Sequence, residues 1–194
     1  MEPTQHTYRV LLVSAAEKFT ASLLGLLPAE TYAPVCVATD TAAARRMALE
    51  QPFDLAIINS PLPDDFGVRL ALDLCDGGTC GVLLLVKAEH ASEITARVAP
   101  YGVLTLAKPT SAAMLTQTLT LLCGTHERLC RMEARAASIE EKMEEIRIVN
   151  RAKCILIEQL RMTEQEAHRY IEKQAMNRCV TKRAIAEGIL STYK

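Results

Sequence analysis

Five aliphatic runs, each apolar at odd and even positions alike, constrain this chain more than any other feature. They are YRVLLV (8–13), PVCVA (34–38), DLAIIN (54–59), GVLLLV (81–86) and GVLTLA (102–107). A strand with one wet face alternates apolar and polar residues, whereas a run without alternation is buried on both faces. Segments of helical spacing lie between the runs, near 17–27, 41–51, 67–75 and 91–99. Single helices joining doubly buried strands are the mark of a parallel sheet covered on both sides. The expected fold class is α/β, with a five-stranded doubly wound domain over 1–110 whose site lies at the C-terminal strand tips. Trp is absent and aromatic residues are 4% of the chain, so the core is aliphatic.

From Ser111 the period changes to that of one long helix. Leu115, Leu119, Leu122, Leu129, Met132, Ala136, Ile139, Met143 and Ile146 are apolar or small, and His126 and Asn150 fill the remaining slots. This reads as 4-3-4-3 spacing over about five heptads, a seam narrow enough for two helices to bury against each other. Residues 111–146 are therefore expected to form a parallel coiled coil holding a homodimer. The competing reading is a helix packed on its own domain, with a turn at Gly124 and Thr125.

Residues 139–194, which share the end of that helix, carry explicit helix starts. Thr163 with Glu166 in TEQE is a capping box, and Thr181 is placed to cap KRAIAEGIL with Val180 and Ile185 as its apolar staple. Ala167, Tyr170, Ile171 and Ala175, then Ala184, Ile185, Ile189 and Leu190, give each helix one stripe to bury. A three-helix bundle is expected.

The net charge of -1 conceals an asymmetry, because residues 147–194 carry 10 Lys and Arg against 5 Asp and Glu. A basic end on an acidic body points to an anionic partner. Seven cysteines, Cys36, Cys75, Cys80, Cys123, Cys130, Cys154 and Cys179, include no CxxC pair, and no His stands at zinc-ligand spacing. Free thiols are expected, with no metal and no cofactor. The start MEPTQHTYRV lacks a signal core, and no apolar run approaches a membrane span, so a cytoplasmic protein without a membrane partner is expected.

The third run opens into a Pro-rich loop, FDLAIINSPLPDDFG (53–67), and the residue at its tip is the uncharged Asn59. The five βα units resemble the receiver domain of bacterial two-component response regulators. That family has an acidic pair after strand one, a phosphorylated Asp ending strand three, Ser or Thr ending strand four, and Lys before Pro ending strand five. The matching positions here are Ser14 and Ala15, Asn59, Lys87, and Lys108 with Pro109; only Lys108 is kept. Pro63 and Gly67 keep the loop spacing. Acyl phosphate formation needs a carboxylate nucleophile, and its divalent cation needs anionic oxygen ligands. A degenerate phosphoacceptor site, without catalysis, is therefore expected. Asp64 and Asp65 on the loop are the alternative acceptors.

The stretch RAKCILIEQLRMTEQEAHRYIEKQAMNRCVTKRAIAEGIL resembles the ANTAR domain, an RNA-binding module of transcription antitermination regulators. It departs from that family at Cys154, where Gly is usual, and at Ile157, where Met is usual. Receiver, coiled coil and ANTAR in this order is an architecture of that family. The resemblance implies a dimer that binds a pair of hairpins in a nascent leader transcript and keeps a terminator from forming, with a protein regulator or sensor as possible input.

Read from charge, the candidate RNA-binding residues are Arg151, Lys153, Arg161, Arg169, Lys173, Arg178, Lys182 and Arg183. Lys182 and Arg183 stand at a helix start, where backbone N–H groups favour phosphate. The bland reading is a solvated face with ion pairs such as Arg169 with Glu166 or Glu172. RNA loops are read by stacking and by contacts to base edges; of the two tyrosines in this stretch, Tyr170 is either a stacking platform or a core residue. The opposing hypothesis for the whole chain is a protein-interaction scaffold without RNA binding.

Overall fold

A computed structural model describes residues 7–193 of the protein, so the reading of the first six residues lies outside the described ones. Five parallel strands lie in the order β2-β1-β3-β4-β5: β1 (Tyr8–Val13), β2 (Tyr32–Ala38), β3 (Leu55–Asn59), β4 (Gly81–Lys87) and β5 (Leu104–Lys108). Four helices connect them, α1 (Glu17–Leu24), α2 (Thr41–Glu50), α3 (Val68–Asp76) and α4 (Ala88–Val98). The two-residue period of a strand sorts each run between two cores. Leu11, Val13, Ala56, Ile58, Leu84 and Val86 meet Ala44, Leu70, Ala71, Ile94 and Val98, from α2, α3 and α4. The alternate residues Val10, Leu12, Leu55, Ile57, Leu83 and Leu85 meet Leu23 of α1 and Leu115, Leu119 and Leu122 of the next helix.

That next helix, α5, runs unbroken from Ala112 to Leu160. Gly124 and Thr125 make no turn. Leu115, Leu119, Leu122 and His126 belong to no intermolecular seam, because all four are buried within their own domain. His126 points its Nδ1 at the Thr79 carbonyl, 2.8 Å away, and its Nε2 lies 3.5 Å from Asp54 Oδ1. The seam expected over 111–146 is thus two surfaces in succession. The spacing marks the join: the steps from His126 to Leu129 and from Leu129 to Met132 are both three residues, a local slip of the heptad register. Beyond it, Met132, Ile139, Met143 and Ile146 are each more than half exposed.

The chain divides into two compact units, 1–131 and 132–194. In the second, the end of α5 packs with α6 (Glu164–Arg178) and α7 (Lys182–Thr192) around Ala152, Leu156, Ala167, Ile171, Ala175, Ile185 and Ala186. The capping box forms: Thr163 Oγ1 accepts from Glu166 N, and Glu166 Oε2 accepts from Thr163 N at 2.8 Å. Thr181 Oγ1 caps α7 by accepting from Ala184 N. Two residues assigned to buried stripes, Tyr170 and Ala184, face solvent instead. The α6 stripe is narrower than the sequence suggests, with Ala167, Ile171 and Ala175 in strict steps of four. Val180, expected to staple against Ile185, is 44% exposed.

Candidate functional site

At the strand tips of the first unit, Asn59 and Ser14 are buried and linked, with Asn59 Nδ2 donating to Ser14 Oγ at 3.1 Å. Lys108 Nζ donates to Asn59 Oδ1 at 2.6 Å and to the Ser60 carbonyl. An amide suits this place physically, since one end accepts from the ammonium and the other donates to the hydroxyl. Burial first, and then the positive charge of Lys87, lower the pKa of Lys108. Lys87 is exposed and lies 3.7 Å from Glu89, and Ala15 is exposed. Of the five positions matched in sequence, Ser14, Asn59 and Lys108 form one hydrogen-bonded chain, Lys87 reaches it only through its charge, and Ala15 adds no polar side chain.

Of the two loop carboxylates, Asp65 accepts, among the described residues, only from the neighbouring Phe66 N, whereas Asp64 is engaged elsewhere. Asp64 Oδ2 accepts from Thr41 N at 2.9 Å, Thr41 Oγ1 at 2.6 Å and Ala42 N at 3.3 Å. These donors, the hydroxyl first, hold its pKa below the usual carboxylate value. The acid thus ties its loop to the first turn of α2, where N–H groups have no intrahelical acceptor. The loop is shaped by Gly67, whose φ of +74° suits glycine and where a Cβ would fall 2.8 Å from Ile58 Cγ2. Among the described residues, no cluster of three His, Cys, Asp or Glu is placed to hold a metal ion.

In the second unit, the eight candidate cations fall into two sets. Lys153 pairs with Glu164 at 3.1 Å, Lys182 with Glu172, and Arg183 Nε with Glu187 at 2.8 Å. Two of these, Lys182 and Arg183, are the residues expected to receive phosphate at the start of α7. Among the described residues, Arg151, Arg161, Arg169, Lys173 and Arg178 make no ion pair. The partners that would neutralise Arg169 are occupied, since Glu166 closes the capping box and Glu172 binds Lys182 and His168. The hydrogen bond from Lys182 comes first among the causes that lower the Glu172 pKa.

A cleft of about 300 Å³ opens among the end of α5, α6 and α7. Leu156, Leu160, Ile185 and Ile189 are its apolar lining, and Tyr170, Gln174, Arg178 and Tyr193 are among its polar and aromatic residues. Arg178 is the only one of the eight candidates that lines it. Tyr170, Gln174 and Arg178 recur every four residues on α6, so one helical face carries an aromatic ring, an amide and a guanidinium. That spacing is the sequence signal for Gln174, which a survey of charges alone passes over. Gly188, at the cleft's α7 wall, has no such signal.

Comparison with known proteins follows the same division. The ANTAR domain family model matches residues 137–190. The transcriptional regulatory protein PdtaR of Mycobacterium tuberculosis is 27% identical over 185 residues, covering 95% of this chain and 90% of that protein. Among solved structures, a CheY-like receiver domain protein from Methanospirillum hungatei superposes with a TM-score of 0.55 at 18% identity, over 63% of this chain and 98% of that one. The signal receiver domain of an HD-domain protein from Pseudomonas fluorescens gives 0.57 at 21%, over 66% and 94%. At these identities the two structures show the receiver fold alone.

Proposed function

The chain is an ANTAR-domain response regulator, a transcription regulator of that family, and from this premise we propose that it binds hairpins in nascent leader RNA as a homodimer and promotes antitermination. Its receiver unit, on this reading, takes no phosphate. The observation that carries the RNA reading is the set of five cations without an ion pair among the described residues, Arg151, Arg161, Arg169, Lys173 and Arg178, on a small helical unit in which Glu164, Glu166, Glu172 and Glu187 are spent on a cap or on other cations. Phosphate contacts of this kind supply most of the affinity for nucleic acid, whatever the sequence.

The unphosphorylated state of the receiver follows from chemistry at the strand tips. Asn59 offers no carboxylate oxygen as nucleophile. Ser14 and Ala15 offer no anionic ligands to a divalent cation. Asp64, the nearest alternative in the loop, is committed to the start of α2. Input therefore has to come by another route, and the family resemblance favours a protein regulator.

Self-association is supported by the exposed seam beyond the register slip. With Leu129, Ala136, Met143 and Asn150 at a positions and Met132, Ile139 and Ile146 at d, the flanking charges discriminate between orientations. In a parallel pair Arg128 meets Glu133 and Arg135 meets Glu140 across the interface, against one like-charged pair, Lys142 with Arg147. An antiparallel pair that layers Ala136 on Ile139 sets Glu133 against Glu140 and Arg135 against Lys142. The parallel arrangement is favoured, and Asn150 within it fixes register. Two bundles on one dimer make the second hairpin contact intramolecular, with the gain in effective concentration that follows.

The test is single-round transcription of a leader with two hairpins ahead of a terminator. Read-through should rise with added protein and fall back to the basal level when Arg169, Lys173 and Arg178 are all changed to Ala. Read-through that ignores the protein, on a template whose hairpins are intact, would instead favour a protein-interaction scaffold.

A further inference from the structure

We propose that the cleft lined by Tyr170, Gln174, Arg178 and Tyr193 receives a single unpaired nucleobase from an RNA loop. The inference rests on the RNA-binding reading above and deepens it by naming the pocket and the chemical feature it reads.

The first observation is the chemistry of the cleft. Its floor is aliphatic, from Leu156, Leu160, Ile185 and Ile189, and two tyrosines, 37% and 42% exposed, stand at it. Both rings are the kind of flat surface on which bases stack, and every base has such a face. Gln174 brings an amide that both donates and accepts, the complement of a base edge. Arg178 brings a charge without a carboxylate partner among the described residues, placed to meet the phosphate of the same nucleotide.

The second observation is independent of the first. Gly188 lies mid-helix in α7, where glycine costs about 1 kcal/mol relative to Ala. Nothing in the backbone calls for it: its φ is not positive, and an added Cβ would meet nothing within 4 Å. What glycine provides there is space, because Gly188 forms part of the cleft wall. A residue that weakens its own helix while keeping a cleft open is accounted for if something enters the cleft. A cleft of about 300 Å³ sits at the small end of ligand sites, in keeping with one base rather than a longer segment.

Plugging the cleft tests this without threatening the fold, since Ala or Leu at position 188 raises helix propensity. Hairpins retained by the full-length protein from a pool with one stem and random loops would be compared with versions carrying an abasic residue at each loop position, and with the blunt duplex of the stem. The parent chain should bind one abasic hairpin about tenfold more weakly, within the range for loss of one stacked base. Gly188→Leu and Tyr170→Ala should each lose a similar factor on the intact hairpin and little more on the abasic one, with duplex binding unchanged. Gly188→Ala, read by circular dichroism and melting, should be folded and at least as stable as the parent. Equal affinity of Gly188→Leu and parent for the intact hairpin, or indifference to every abasic position, would overturn the inference while leaving RNA binding in place. Retention of no hairpin by the parent would overturn both.

Discussion

The ammonium of Lys108 donates to the side-chain carbonyl of Asn59 at 2.6 Å, and the amide nitrogen of Asn59 donates in turn to Ser14. A lysine that would meet charged groups in a phosphorylated receiver is here held by a neutral amide inside a closed hydrogen-bonded chain. Replacing Asn59 with Ala leaves the buried Ser14 and the half-buried Lys108 each short of one partner, Lys108 keeping only the Ser60 carbonyl. The expected cost is about 1–3 kcal/mol, measured as a shift of the denaturant midpoint at constant slope.

Restoring a single carboxylate should not restore phosphorylation. Asn59→Asp supplies a nucleophile but no cation site, so incubation with a small phosphodonor and magnesium should leave it unlabelled. Adding Ser14→Asp and Ala15→Glu rebuilds the acidic cradle, and this triple variant should take up phosphate. Uptake by the parent chain would contradict the account of the strand tips.

Lys108 also makes stability depend on pH in a definite direction. Its pKa in the folded protein lies below the ordinary value of 10.5. Between those two values the unfolded chain binds more protons than the folded one, so stability from this group rises as pH rises through that window. The difference in unfolding free energy between the parent and Lys108→Met should therefore change across the alkaline range and be flat at neutral pH. Asp64 gives the same direction in the acid range: its lowered pKa contributes stability that is complete above about the usual carboxylate value and is lost as pH falls through the lower folded value. Asp64→Asn should abolish that acid-side loss.

The two halves of α5 should respond differently to substitution. Leu119 is buried against the sheet, so Leu119→Ala should cost about 2–5 kcal/mol of stability. Ile139 is 58% exposed in the single chain, and Ile139→Lys should leave the first unit's unfolding unchanged while shifting the sedimentation of the protein from dimer to monomer. Destabilisation of the first unit by Ile139→Lys, with the mass unaltered, would contradict the seam.

The N-cap of α6 offers a cleaner energetic test. Thr163 and Glu166 satisfy each other's backbone N–H groups, and Thr163→Ala should destabilise the C-terminal unit by about 1 kcal/mol. Far-ultraviolet circular dichroism during unfolding of that unit would report it.

Much of this was legible in the residues because the physics is local. The strands announced themselves since each run is apolar on both faces, and β1 begins and ends where its run does. The caps at Thr163 and Thr181 depend on one side chain and an amide three residues away. The division of α5 was harder to read, because a helix buried on a sheet and a helix that presents an exposed apolar stripe show the same apolar spacing. The slip between His126 and Met132 was its trace. The roles of Asp64 and of Lys182 depend on residues 23 and 10 positions away, pairings that no periodicity encodes. The cleft likewise joins three helices, and Gly188 gains meaning only when the space beside it is seen.

The most direct test of the central claim is the affinity of the full-length protein for hairpin RNA as a function of salt. The logarithm of the association constant should fall linearly with the logarithm of salt concentration. Each Ala substitution at Arg151, Arg161, Arg169, Lys173 or Arg178 that removes a phosphate contact should reduce the slope by about 0.7–0.9, and those at Lys182 and Arg183 should reduce it less. A slope near zero, or one that all these substitutions leave unchanged, would contradict the account.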